Sequence, residues 1–172
     1  MTDMMGKIEE GRNILEKIAS KIPGYSGYKE REDRRTADKL LREIIADRYE
    51  EQWARLSGLQ RDLIEAGGIE HVDRLEGAAI KLRTFIDQMK TASYGYSGFF
   101  DAVKVNEKEL QALYAFDNAL LENAAAIATA VDNVAASLES DGLPAAIRNL
   151  TQLAQDCNDT FTRRGEVLTG GA

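Results

Sequence analysis

Apolar residues recur along most of this chain in alternating three- and four-residue steps, the spacing that puts side chains on one face of a helix. Met4, Ile8, Gly11, Leu15, Ile18 and Ile22 form the first stripe and predict a helix over about residues 3–21, ended by Pro23. A longer helix is expected over residues 29–66, roughly 57 Å at 1.5 Å per residue, with Gly67-Gly68 as its stop. Its stripe, Leu41, Ile45, Tyr49, Trp53, Leu56, Leu59 and Leu63, has a mean spacing of about 3.7, which favours a straight helix over a left-handed supercoil. Val72, Leu75, Ala79, Leu82, Ile86 and Met89, flanked by Phe85, predict a third helix over residues 69–92.

The clearest pattern comes next. Asn106 with Glu109 three residues later reads as an asparagine capping box. From there Leu110, Leu113, Asp117, Leu120, Ala124, Ile127, Val131, Val134 and Leu138 keep the alternation without a break. Ser140-Asp-Gly-Leu-Pro is a loop, because Gly142 suits a bend and Pro144 the first turn of a helix. A fifth helix follows, with Leu143, Ile147, Leu150, Ala154, Cys157 and Phe161 in its seam until Arg163-Arg-Gly, and a frayed Gly170-Gly-Ala tail. These elements predict an all-α, single-domain antiparallel bundle of five helices spanning residues 1–172, a four-helix core with a short first helix packed alongside the second.

Two similar stretches interrupt the helical pattern: Gly24-Tyr25-Ser26-Gly27-Tyr28 and, 71 positions later, Gly95-Tyr96-Ser97-Gly98-Phe99. Paired glycines suit turns, so Gly24, Gly27, Gly95 and Gly98 are turn candidates. Consecutive helices joined by short turns run antiparallel, which would place both turns at one end of the bundle. There Tyr25, Tyr28, Tyr94, Tyr96, Phe99 and Phe100 would gather as a hydrophobic lid or as a contact surface; tyrosine suits both. At the same offset Arg12, Leu15, Glu16 and Ile18 face Arg83, Ile86, Asp87 and Met89, so a duplicated hairpin is one reading, although the register fails beyond the turn.

Composition agrees with helix: the chain of 172 residues is 44% hydrophobic and 30% charged with only two prolines, enough to bury a core without staples. A net charge of −7 opposes general attraction to nucleic acid or anionic lipid. No signal-peptide core and no membrane-length apolar run is present in the sequence, so a cytoplasmic protein is expected. Cys157 alone allows neither an intramolecular disulfide nor a cysteine-only metal site.

Candidate chemistry is sparse. The glycine turns lack the Gly-Lys-Ser/Thr ending and preceding strand of a phosphate loop. One histidine, His71, cannot supply the paired Glu-x-x-His motifs of a di-iron bundle, and no nucleophile motif is present, so no metal, cofactor or catalytic residue is assigned. Asp117, on an otherwise apolar seam, is the exception: a buried carboxylate there would pair with a basic group and set the packing, sit at the wet bundle end, or be catalytic. The run Lys29-Glu-Arg-Glu-Asp-Arg-Arg reads as a solvated face with pairs such as Glu30 with Arg34 and Asp38 with Arg42, or as Arg31, Arg34 and Arg35 facing an acidic partner.

The run from Ile22-Pro-Gly-Tyr-Ser-Gly-Tyr-Lys-Glu-Arg-Glu, with Tyr94-Gly-Tyr-Ser-Gly-Phe-Phe and Phe161-Thr-Arg-Arg-Gly-Glu-Val-Leu, resembles an uncharacterised family of bacterial helical proteins. The resemblance covers about a quarter of the chain, implies a helical fold and carries no activity or functional residue. The expected function is a non-catalytic interaction or scaffolding module with a protein partner or self-association, the latter if Trp53 or Leu56 on the long second helix needs cover. The alternative is a small-molecule binder or enzyme with a pocket under the aromatic turns, using Tyr25, Tyr96 and Asp117.

Overall fold

The computed structural model describes residues 2–25, 27–28, 34–92 and 108–169, and the side chains of all of these except 2–11 and 169. Among the described residues the fold is all-α, with five helices and no strand: α1 (Thr2–Lys21), α2 (Arg34–Glu65), α3 (Val72–Thr91), α4 (Lys108–Ala136) and α5 (Leu143–Thr169). A 3₁₀ turn, Ile69–His71, leads into α3. The second aromatic turn, Asn106 and the residues that would begin the second helix at 29–33 lie outside the described residues.

The long helix stops where its glycines require. Gly67 takes φ +82°, a conformation that side chains rarely adopt, and its N–H donates to Ile64 O at 3.1 Å while the Gly68 N–H donates to Leu63 O at 2.9 Å. Those two bonds close the end of α2 and reverse the chain into α3. The α2–α3 pair is antiparallel: Glu50 meets Lys90 at 2.7 Å and Gln60 bonds Glu76.

The four core helices form a ring in which α2 neighbours α3 and α4, and α5 neighbours α3 and α4. Neighbours α2 and α4 run in one direction and α3 and α5 in the other, so the link from α3 to α4 joins diagonal helices. The middle of the core is an aromatic ladder: Tyr49 lies 4.5 Å from Phe85, and Phe85 packs edge-on against Phe161 at 6.0 Å. The Tyr49 hydroxyl donates to Leu120 O at 2.9 Å and lies 3.3 Å from Cys157 Sγ, so α2 touches both α4 and α5 there.

Two packing expectations change. α1 packs on α4 rather than alongside α2, and it runs in the same direction as both. Leu15 lies beside Gly27 and Tyr114, while the carbonyl of Lys21, at the far end of α1, accepts a bond from Arg48. The chain after Ile22 therefore doubles back along α1 before α2 starts, instead of turning directly into it. This also separates the two halves of the proposed duplication, since α3 and α4 run in opposite directions. Leu56 is fully buried, and Trp53 is half-buried under the Arg83 guanidinium, 5.3 Å from its ring centre, so neither leaves α2 in need of cover.

Candidate functional site

The doubling back carries the first aromatic stretch to the end of the bundle where α2 and α4 begin and α3 and α5 finish. Gly24 and Gly27 both take positive φ, 81° and 80°, which lets the chain fold back beside Leu15 of α1 within a few residues. Gly27 is also sterically required: a Cβ there would stand 2.7 Å from both Leu15 Cδ1 and Tyr114 Oη. That close approach brings the Tyr28 N–H to Tyr114 Oη, to which it donates at 2.6 Å.

Tyr25 and Tyr28 both point inward. Tyr28 is fully buried and Tyr25 nearly so, their rings edge-on at 6.0 Å, with the tilted Tyr114 ring 5.1 Å from Tyr28. The Tyr28 hydroxyl donates to Asp117 Oδ2 at 2.7 Å. The other oxygen of Asp117 accepts from Arg164 Nε at 2.6 Å. Arg164 Nη2 bonds Asp38 and lies 3.3 Å from Tyr28 Oη. Asp38 in turn accepts from Arg42 Nε at 2.9 Å, and Arg42 Nη1 donates to Met89 O at 2.7 Å, in the last turn of α3. One chain of buried polar contacts thus ties the α1–α2 connection to all four core helices.

Burial of these groups sets their proton affinities. It pushes the Asp117 carboxyl up from the usual carboxylate range, while Arg164 and the Tyr28 hydroxyl pull it back. Burial pulls the Arg164 guanidinium down, but Asp117, Tyr28 and Asp38 outweigh it and hold the group well above its ordinary value. Tyr28 and Tyr25 are raised, first by burial and then by the field of Asp117. Arg164 therefore stays a cation that does not serve as an acid or a base near neutral pH, and both Asp117 oxygens are occupied. As arranged, the cluster can position helices; its carboxylates have no open face on which to meet a substrate.

The candidate residues separate as follows. Tyr25, Tyr28, Gly24, Gly27 and Asp117 come together at this end, with Asp117 fully buried and paired. Arg34 is not available to a partner: it is buried, and its Nε donates to Tyr28 O at 2.8 Å, because α2 begins under the aromatic segment rather than in solvent. Arg35 is exposed. Tyr94, Gly95, Tyr96, Gly98, Phe99, Phe100 and Arg31 lie outside the described residues. Asp38 and Arg42 do pair, but as a buried tie and not as an exposed helix pair. Cys157 is buried in the core, and burial pushes its thiol up to about 11. Among the described residues no three His, Cys, Asp or Glu side chains converge to hold a metal, and no helix is long and apolar enough to cross a membrane.

Sequence reasoning missed Arg164, the centre of the cluster, and the inward roles of Asp38, Arg42 and Tyr114. A signal existed: Ile147, Leu150, Ala154, Cys157, Phe161, Arg164 and Leu168 continue one three-four alternation, and α5 runs on past Arg163-Arg-Gly to Thr169. Comparison of the chain with family models, curated proteins and solved structures finds no match to any of them.

Proposed function

We propose that this protein is a non-catalytic, cytoplasmic interaction or scaffolding module that works by presenting the outer faces of a rigid bundle, including to further copies of itself. The observation that carries this reading is the use made of the ionisable groups at the aromatic end. Asp117, Asp38, Arg164 and Arg42 are engaged in holding helices together. The surface offers a different kind of feature: Ile64, Ile69 and Ile80, on α2, the 3₁₀ turn and α3, are each more than half exposed. Ile80 borders a shallow groove with Trp53, Ala79 and Arg83. The small-molecule alternative has less support, because Tyr25 and Tyr28 are packed rings and Asp117 has no free oxygen.

Light scattering on the eluting full chain over a wide concentration range tests the self-association part. A mass that rises above the monomer, and returns to it in an Ile64→Glu, Ile80→Glu variant of unchanged helicity, supports the reading. A strict monomer that also captures no protein in cross-linking from its own host cells would overturn it.

A further inference from the structure

The ion cluster leaves two polar atoms over. Arg164 Nη1 and Tyr25 Oη are both buried, and among the described residues neither makes a hydrogen bond of good geometry, although the neighbouring Tyr28 hydroxyl acts on Tyr25 Oη. Arg164 is fully enclosed, with its other two nitrogens engaged by Asp117 and Asp38. The two atoms belong to the same neighbourhood. Arg164 Nη2 is 3.3 Å from Tyr28 Oη, the Tyr25 ring stands edge-on to the Tyr28 ring at 6.0 Å, and the Arg164 charge acts on the Tyr25 hydroxyl. Folded proteins rarely leave a buried cationic donor without an acceptor, and internal water is the usual remedy.

We propose that this corner of the bundle is a binding site for one neutral oxygen acceptor, a buried water molecule that bridges Arg164 Nη1 and Tyr25 Oη. A guanidinium only donates, so the occupant must accept; a tyrosine hydroxyl does either, so a single water serves both. Neutrality follows from the surroundings. Arg164 already faces the carboxylates of Asp38 and Asp117, and a third negative charge beside it would be repelled by both at short range in a medium that screens poorly. Tyr25 on this account belongs to the polar cluster through the water, and is more than a ring packed over it.

The test is ¹⁷O relaxation dispersion of water on the full chain, which counts long-lived internal waters, together with thermal melts of the wild type and Tyr25→Phe. The expected result is a long-lived contribution in the wild type that falls by one water in Tyr25→Phe, with a lower melting temperature at unchanged helicity. No long-lived water in the wild type overturns the proposal, whatever the variant does. So does a variant that melts at the same or a higher temperature, since a dry site would only lose an unsatisfied hydroxyl. Titration with sodium acetate at fixed ionic strength provides a further arm: stabilisation of the wild type but not of Tyr25→Phe would assign the site to an anion and overturn the neutral acceptor.

Discussion

Replacing Arg164 with methionine removes the centre of the cluster while keeping an unbranched side chain of similar reach. Two carboxylates lose a partner: Asp117 keeps the Tyr28 hydroxyl at 2.7 Å, and Asp38 keeps Arg42 at 2.9 Å. Breaking a buried ion pair by removing one member costs about 3–5 kcal/mol, because the remaining charge stays buried. In a domain of this size each kcal/mol shifts the melting temperature by roughly 2–4 °C, so Arg164→Met should melt about 6–20 °C below the wild type. Asp117→Leu added to Arg164→Met should recover part of that loss, since the carboxylate left without any cation is then gone while Asp38 keeps Arg42. Acid should also relieve the single variant. Burial already raises the Asp117 pKa above its ordinary 3.8, and losing the guanidinium raises it further. A group whose folded pKa is raised contributes stability below its unfolded pKa, and loses it as pH rises through the folded value. The gap between wild type and Arg164→Met should thus be smaller at pH 5 than at pH 8. Melts followed by circular dichroism at both pH values decide the matter: a single variant within about 1 kcal/mol of wild type, or a double variant no better than the single, would refute the reasoning.

Other predictions rest on separate parts of the fold. Gly27→Ala should destabilise by about 1–3 kcal/mol, through its positive φ and its contacts with Leu15 and Tyr114; Gly77→Ala, in the interior of α3 with open space around it, should stabilise by about 0.5–1 kcal/mol, and urea titrations of both variants check the contrast. The Cys157 thiol should ignore Ellman's reagent at pH 8 until the chain unfolds, and prompt reaction with the native protein would contradict its burial. Tyr25, Tyr28, Tyr49 and Tyr114 all have raised pKa values, first by burial. Stability should therefore be full below the ordinary tyrosine value of 10.0 and fall as pH rises beyond it, with the ionisation of these four rings appearing together with loss of helix.

The helices were legible because burial imposes a period on sequence, and α3, α4 and α5 bury nearly every residue their stripes name. The same period extended further than its apolar members suggested. Asp38 stands three residues before Leu41, and Arg164 three after Phe161, each in step with its seam. A charge in a seam position reads as the end of the buried stripe when one helix is considered alone. It becomes legible as core only when Asp38, Asp117 and Arg164 are placed at the same end of three helices. The direction of α1 was hidden for another reason. Turn chemistry at Gly24 and Gly27 says that the chain reverses, but two reversals close together return it to its first heading, and spacing alone does not count them. The ring order was likewise beyond periodicity, since a stripe defines which face is buried and not which neighbour covers it.

The central claim is that Arg164 is locked inside the bundle by Asp117 and Asp38 and holds its end together. Side-chain nitrogen NMR tests it most directly, by measuring how fast each arginine Nε–H exchanges with water. The account predicts a strongly protected Arg164 signal, shifted by its bond to Asp117 and far slower to exchange than that of exposed Arg35. An Arg164 Nε–H that exchanges as fast as that of Arg35 in the folded protein would contradict it.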